Sequence, residues 1–177
     1  MVQTAVVEAG SSSGLASSYL RLVRPRQWTK NGFVLAGVVF AEKAFSATAV
    51  AHALLAFVIF CALSGAVYAA NDVLDVEEDR KHPLKRFRPV ARGEISARAA
   101  LVFAAVLAAG ALVLSFTLLP YGVGMAGVAF LVLQVFYTTI LKHAAILDVM
   151  SISAGFVIRA LAGVAAVSSP ISPWLIV

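Results

Sequence analysis

Charged side chains are scarce in this sequence, and long apolar runs are abundant. Only 13% of its 177 residues are charged, whereas 61% are apolar. Soluble domains average about 25% charged and about 45–50% apolar residues. The composition therefore excludes an ordinary water-soluble globule, a disordered chain and a fibrous repeat.

Cysteine and histidine are also rare. The one cysteine, Cys61, has no partner for an internal disulfide, and the three histidines do not have the spacing of a zinc site. Residues 1–18 lack the cationic region and apolar run of a signal peptide, and their Ser-Gly stretch is typical of a flexible tail. We therefore expect a disordered tail at 1–18, followed by one transmembrane domain at 19–177.

Five apolar segments and the start of a sixth follow one another along the chain. They cover residues 32–45, 53–70, 99–119, 121–141 and 144–167, and the sixth begins near residue 173. The longer ones can each cross ~30 Å of hydrocarbon as a helix. The predicted fold is an all-α, polytopic transmembrane helix bundle. Because the sixth segment has only begun at Val177, we expect the chain to be the front part of a longer protein.

Lysine and arginine gather in alternate loops. They precede the first segment, lie between the second and third, and include Lys142 between the fourth and fifth, whereas the other loops contain only Lys43. The positive-inside rule therefore places the N-terminus and these cationic loops in the cytoplasm. We expect an integral, multi-pass protein of the plasma (inner) membrane, with no nucleic acid as partner.

The densest polar stretch begins where the second apolar segment ends. Asp72, Asp75 and Asp79 are spaced i, i+3, i+7, which places them on one helical stripe about 60° wide. Carboxylates this close repel one another beside low-dielectric surroundings unless a cation neutralises them. Mg²⁺ suits such oxygen ligands, since it binds carboxylates together with substrate phosphates. The spacing predicts a Mg²⁺ site with Asn71 beside the three acids; the alternative is a frayed helix end with solvated acids.

Further charged residues are candidates for binding a substrate. Lys85 and Arg88 lie in a proline-bracketed loop that can fold over a metal-bound phosphate, although the same cations also satisfy topology or bind anionic lipid. Asp148 and Arg159 are isolated charges of the fifth segment that share a helix face roughly 16 Å apart. Each needs a partner on another helix or a ligand, and a structural interhelical ion pair is the alternative. The remaining candidates near the cytoplasmic side are Lys30, Tyr137 and Lys142.

Several of these patterns resemble the UbiA prenyltransferase superfamily. Residues 71–79, Asn71-Asp72-x-x-Asp75-x-x-x-Asp79, are similar to its first acidic motif. Residues 24–31, 82–96 and 155–163 are similar to the decaprenyl-phosphate phosphoribosyltransferase branch. The resemblance implies a bundle of about nine helices in which a divalent metal bridges carboxylates to a diphosphate.

For this branch, the resemblance implies that the diphosphate belongs to phosphoribosyl diphosphate. A polyprenyl (decaprenyl) phosphate lipid would attack the ribose and release pyrophosphate, feeding cell-wall arabinan precursor synthesis. Asp72, Asp75 and Asp79 would be the catalytic residues and would hold Mg²⁺ together with Asn71. The residues implied for the donor's remaining phosphate oxygens are Lys30, Lys85, Arg88, Lys142 and Arg159.

Three alternatives stay open at this point. One is an aromatic prenyltransferase of the same superfamily, and another is a truncated, non-catalytic membrane fragment. The third is a divalent-cation transporter that uses the three stripe acids and Asp148 as its pathway. The sequence leaves the oligomeric state open, with a homo-oligomer as one option.

Overall fold

The structure is a computed structural model that describes residues 11–140 and 145–169. Throughout these residues the regular structure is helical, and the all-α prediction is confirmed. The elements in chain order are α1 (Ser11–Leu22), a 3₁₀ helix (Pro25–Leu35), α2 (Ala36–Phe40), α3 (Ala47–Leu74), α4 (Val76–Lys81), a short 3₁₀ turn (Lys85–Phe87), α5 (Ala97–Leu118), α6 (Tyr121–Thr139) and α7 (Ala145–Ala166).

Four of these helices are long and apolar enough to cross a membrane: α3, α5, α6 and α7. They correspond to the second to fifth predicted segments, with ends that differ by a few residues. Serine caps define two of the starts, because the side chains of Ser46 and Ser96 accept hydrogen bonds from the backbone N–H groups of Ala49 and Ala99. The chain is therefore a multi-pass membrane protein.

The first predicted segment, residues 32–45, has the wrong bounds. The helical backbone begins earlier, at Pro25, winds as a 3₁₀ helix to Leu35 and ends with α2 at Phe40. Proline at the first position suits a helix start, because its missing N–H would have no partner there. The tighter 3₁₀ winding makes this segment about 30 Å long despite its few residues. It is not one of the four long α-helices.

This first segment runs antiparallel to α3. At its start, Arg24 pairs with Asp72 near the C-terminal end of α3. At its other end, Val38 packs with Ala49 and Ala53 near the start of α3. The segment therefore follows α3 along most of its length and contributes side chains to the interior of the bundle.

Two glycines allow the first segment to cross α7 with the backbones in contact. A Cβ atom on Gly163 would lie 1.8 Å from the carbonyl oxygen of Val34, and one on Gly37 would lie 2.1 Å from the carbonyl carbon of Gly163. Real side-chain atoms cannot come this close, so both positions require glycine. The crossing holds the 3₁₀ helix against α7, where Arg159 lies.

α3 is the central helix of the bundle. Half of the most apolar part of α3 is buried, against 22% for α5 and α6.

Polar side chains of three helices meet at one end of the bundle. Thr138 of α6 donates a hydrogen bond of 3.1 Å to the side chain of Asn71 of α3, and Tyr137 interacts with Asp148 of α7. The C-terminal ends of α3 and α6 therefore meet the N-terminal end of α7. We call this region the polar end.

α1 packs against the polar end and corrects the prediction of a disordered tail. The expectation is wrong for residues 11–18, which belong to α1, whereas residues 1–10 lie outside the described residues. Leu22 is fully buried against α3 and α5, and the Tyr19 ring lies 4.9 Å from that of Phe103. These apolar contacts stabilise the helix. The predicted sixth segment also lies outside the described residues.

Candidate active site

Two buried aspartates form the centre of the polar end. Asp72 is 2% exposed and Asp79 is 1% exposed. The turn at Asp75 separates α3 from α4, but its N–H still bonds to the Asn71 carbonyl (2.9 Å) and its own carbonyl accepts from the N–H of Asp79 (2.8 Å). Helical winding thus continues through the turn and brings Asp72 and Asp79 onto the same side, as their spacing predicts.

Two arginines neutralise these acids. Arg88 Nη1 lies 2.5 Å from Asp79 Oδ2 and 3.3 Å from Asp72 Oδ1, so one cationic nitrogen bridges both carboxylates. Arg24 also pairs with Asp72, and its guanidinium lies 4.8 Å from the centre of the Tyr68 ring. Its backbone is left-handed (φ 50°), which is uncommon for a residue other than glycine and turns the chain between α1 and the 3₁₀ helix.

The predicted convergence of three carboxylates is not seen. Among the described residues, no three acidic, histidine or cysteine side chains are grouped closely enough to hold a metal. Asp72 and Asp79 share Arg88, whereas Asp75 is half-buried and stands at the turn between the two helices. Buried acids need a positive partner, and Arg24 and Arg88 supply that positive charge in this structure. The metal role of Asn71 and the three acids stays a prediction.

A cavity of about 240 Å³ opens beside this cluster, between the 3₁₀ helix, α3, α6 and α7. Four of the predicted substrate-binding residues line it: Lys30, Asn71, Tyr137 and Arg159. They come from segments far apart in sequence, and the fold brings them to one space. The other lining residues include Ser64, Tyr68, Phe130, Gln134, Ser151, Gly155 and Phe156.

Arg159 is buried in this cavity among neutral groups. It is 6% exposed, and its Nε donates to Asn31 Oδ1 at 2.7 Å, while Nη1 donates to the Gly155 carbonyl at 2.8 Å. The ring of Phe130 lies 4.6 Å from its guanidinium carbon, at a distance suited to a cation–π contact. Asp148 is not its partner, in agreement with their predicted separation along α7. The predicted alternative of an interhelical ion pair has no counterpart at Arg159 in the described residues.

Asp148 instead contacts Tyr137. One of its carboxylate oxygens, Oδ1, is buried and has no hydrogen-bond partner in the part of the chain that the structure describes. Tyr137 itself lines the cavity, whereas Asp148 is not among the lining residues.

Three of the predicted substrate-binding residues that the structure describes do not line the cavity: Lys85, Arg88 and Asp148. Lys85 is exposed on the short 3₁₀ turn and is absent from the cavity lining, although Arg88, three residues later, reaches the acids. Lys142 lies outside the described residues.

Sequence reasoning missed several polar residues of this region, among them Arg24, Asn31, Ser64 and Gln134. Arg24 and Asn31 belong to the stretch 24–31 that resembles the phosphoribosyltransferase branch, but the charge pattern did not distinguish Arg24 from the other cations before the first segment. Asn31 and Gln134 are amides at the edge of, or within, apolar stretches, and such residues mark functional positions in membrane helices. Ser64 gave no signal, because serine is common in packed membrane helices.

A second charged group fastens α1 to the loop before α5. Glu94 accepts a hydrogen bond of 2.5 Å from Ser18 and pairs with Arg21 of α1 and with Arg92. The Ser18 hydrogen bond, followed by the two arginines, holds the pKa of Glu94 below its ordinary value. Glu94 therefore ties α1, which leads into Arg24, to the loop that carries Arg88.

Known proteins match both the sequence and this arrangement. Residues 32–177 match the model of the UbiA prenyltransferase family. The chain belongs to that family. A protein of Mycolicibacterium smegmatis named decaprenyl-phosphate phosphoribosyltransferase is 39% identical over 99% of this chain and 56% of its own length. A protein of Corynebacterium glutamicum with the same name is 39% identical over 92% of this chain and 50% of its own length.

The family's fold is found in a solved structure as well. A UbiA homologue from Archaeoglobus fulgidus, solved with DMAPP and Mg²⁺, superposes with a TM-score of 0.74 at 21% identity, over 88% of this chain and 56% of that one. The likeness shows the same helical arrangement. This chain spans about half the length of the curated relatives it matches.

Proposed function

We propose that this UbiA-family chain belongs to a membrane transferase that moves 5-phosphoribose from phosphoribosyl diphosphate to a polyprenyl phosphate and releases pyrophosphate. The observation that carries the proposal is its 39% identity, over 99% of the chain, to a relative named decaprenyl-phosphate phosphoribosyltransferase. The polar end supports it, because buried acids, arginines and a cavity lie together there. The product would feed cell-wall arabinan precursor synthesis.

Mg²⁺ fits the acid pair of the polar end. Arg88 Nη1 already places one positive centre between Asp72 and Asp79, which is where a cation shared by the two carboxylates would lie. Mg²⁺ commonly uses one or two carboxylates and completes its shell with water and substrate phosphates. Asn71 and Asp75 would be the neighbouring oxygen ligands from the same turn. The metal would neutralise the negative charge of the departing diphosphate, and the A. fulgidus homologue, solved with Mg²⁺, supports this assignment.

The cations of this region would hold the donor's phosphate groups. Arg24 and Arg88 are already within contact of the acids, and guanidinium groups bind phosphate oxygens in pairs. Lys30 and Arg159 line the cavity and make it attractive to an anion. Lys85 and Lys142 are further candidates. Stabilising charge on the leaving pyrophosphate is the main task of such residues, so no nucleophilic side chain is required.

An apolar cavity beside the polar one would accommodate part of the isoprenoid chain. It has a volume of about 330 Å³ and lies between α3, α5 and α6. Val67, Asn71 and Gln134 line both cavities, so the two cavities lie side by side. A lipid phosphate at Asn71 would therefore have its tail beside apolar helix faces.

The proposed orientation brings the polar end to the cytoplasmic side of the plasma membrane. Its loops carry most of the arginines and lysines, as the positive-inside rule requires. Phosphoribosyl diphosphate is a soluble anion and would reach the polar end from the cytoplasm without crossing the membrane.

Labelled phosphoribosyl diphosphate and decaprenyl phosphate test the proposal. We expect the full-length protein to form a Mg²⁺-dependent, lipid-extractable labelled product, and Asp72→Ala or Asp79→Ala to abolish it while the protein remains inserted. Glu77→Gln is the matched control, because Glu77 is exposed and pairs only on the surface with Arg80. Absence of product with the wild-type protein, or near-normal turnover of either alanine variant, would contradict the proposal. Transfer from a prenyl diphosphate to an aromatic acceptor would instead establish the other enzyme of this superfamily.

A further inference from the structure

One carboxylate oxygen of Asp148 accepts no hydrogen bond in the contacts described above. Its Oδ1 atom is buried and has no hydrogen-bond partner among residues 11–140 and 145–169. The Tyr137 hydroxyl interacts with the carboxylate, and it must donate because an ionised carboxylate only accepts. The side chain of Tyr137 thus lies beside the carboxylate, while Oδ1 has no partner within the part of the chain that the structure describes. Buried acceptors of this kind are normally satisfied.

Asp148 lies on the face of α7 that lines the polar cavity. The lining residues Ser151, Ile152, Gly155 and Arg159 follow it by three, four, seven and eleven positions, which is the spacing of one helix face. Its partner Tyr137 also lines the cavity, from the facing helix α6. Asp148 is not itself a lining residue; it lies about one turn before Ser151 and about three turns before Arg159, at the end of the lining face nearest the polar end.

The chemistry of this position excludes most parts of the proposed substrates. A carboxylate repels phosphate groups, and the cavity already offers Lys30 and Arg159 for them. An isoprenoid chain has no hydrogen-bond donor. Of the two substrates, only the ribose carries hydroxyl groups that can donate to a carboxylate oxygen.

We propose that Asp148, held in place by Tyr137, accepts a hydrogen bond from a ribose hydroxyl of the donor and so selects a ribosyl over a deoxyribosyl donor. This inference rests on the proposed function and assigns the sugar part of the same site. In this arrangement the diphosphate of the donor lies near Asp72 and Asp79, and its sugar lies near Asp148.

Binding of donor analogues to the full-length protein in nanodiscs tests this assignment. The probes are phosphoribosyl diphosphate, its 2-deoxy and 3-deoxy forms, and pyrophosphate, all with Mg²⁺. A hydrogen bond to a charged group corresponds to about 10- to 100-fold in affinity. We expect Asp148→Asn to weaken the binding of the ribosyl donor by this factor. The affinity for at least one deoxy donor should stay within about threefold of the wild-type value, and pyrophosphate binding should be unchanged.

Pyrophosphate serves as the folding control, because it lacks the sugar and needs an intact polar end. Tyr137→Phe should show a smaller loss of the same selectivity, and Glu77→Gln should show none. Equal weakening of all three sugar donors, or unchanged discrimination in Asp148→Asn, would overturn the ribose contact. Loss of pyrophosphate binding would place Asp148 with the metal and diphosphate and would overturn it as well.

The same samples distinguish this inference from the proposed function. A wild-type protein that transfers phosphoribose but whose selectivity ignores Asp148 contradicts only the ribose contact. A wild-type protein that binds Mg²⁺ and pyrophosphate but transfers no phosphoribose contradicts the proposed function, and the ribose contact with it.

Discussion

At the polar end, two buried aspartates are paired with arginines, whereas deeper in the bundle Arg159 is buried among neutral partners. Asp72 and Asp79 share Arg88, and Asp72 also contacts Arg24. Arg159 hydrogen-bonds to Asn31 and to a backbone carbonyl and stacks near Phe130. The first region is internally neutral, and the second carries a net positive charge.

The difference separates two kinds of buried charge. Removing one partner of a buried ion pair leaves the other uncompensated and destabilises the protein, whether or not the region also binds a metal. A buried cation without a carboxylate partner costs free energy and is retained in membrane proteins mainly where it serves a ligand or a pathway. We therefore expect substitutions at the polar end to affect folding and function together, and those at Arg159 to affect function alone.

The largest loss of stability should follow Arg88→Gln. The substitution removes the bridge between Asp72 and Asp79, which are both buried, and should lower the free energy of unfolding by about 3 kcal/mol. Thermal unfolding in detergent measures the change. Arg80→Gln is the matched control, because Arg80 pairs with the exposed Glu77 and should lose no more than about 0.5 kcal/mol. Equal losses in the two variants would contradict a buried, paired cluster.

Gly163→Ala should disturb the Arg159 region through packing rather than charge. The new methyl group would meet the backbone of Val34, which cannot rotate away, so we expect a loss of about 1–3 kcal/mol. Gly110→Ala provides the control in α5, since nothing lies within 4 Å of its Cβ position, and helix propensity should make it neutral or slightly stabilising. A neutral Gly163→Ala would show that the first segment does not pack this closely on α7.

Substitution of Glu94 should have a smaller effect on the free energy of unfolding, and this effect should depend on pH. Its pKa is lowered from an ordinary value of 4.5, so its contribution to stability is present above pH 4.5 and is lost as the pH falls through the lower folded-state pKa. Glu94→Gln should cost up to about 1 kcal/mol at neutral pH, and the difference from wild type should shrink on acidification. Unfolding measured between neutral pH and below 4.5 checks this. A difference that does not change with pH would show that Glu94 does not hold α1 through its charge.

Arg159→Met should have the smallest effect on stability, within about 1 kcal/mol. Asn31 Oδ1 would still accept from Ser64, and its amide would still donate to Cys61, so no polar group loses its last partner. Binding of the anionic donor should nevertheless weaken, because the cavity loses a cation. A destabilisation as large as that of Arg88→Gln would instead identify Arg159 as a structural residue.

The helices were predictable because apolar length alone determines them. Residues 99–119 and 121–141 were expected, and α5 and α6 cover nearly the same ranges. The first segment was not, because its start at Pro25 lies in a polar stretch and its packing against α7 leaves no periodicity in the sequence. That contact needs glycine at residues 37 and 163, which are far apart in sequence.

The sequence predicted which charged residues lie at the site, but it did not predict which residues contact them. The spacing of Asp72 and Asp79 placed them on one helix side, and the structure buries both. That Arg24 and Arg88 contact them depends on α1 and on the loop after α4, whose course no periodicity reveals. Asn31 as the partner of Arg159 was hidden for the same reason, since a neutral amide leaves no charge pattern in the sequence.

Mg²⁺-dependent binding of pyrophosphate tests the central claim most directly, that the acid pair of the polar end holds a metal with the donor's diphosphate. We predict saturable binding to the wild-type protein only when Mg²⁺ is present, its loss in the Asp72→Asn, Asp79→Asn double variant, and its retention in Glu77→Gln. Binding that needs no Mg²⁺, or that survives the loss of both aspartates, would contradict the claim.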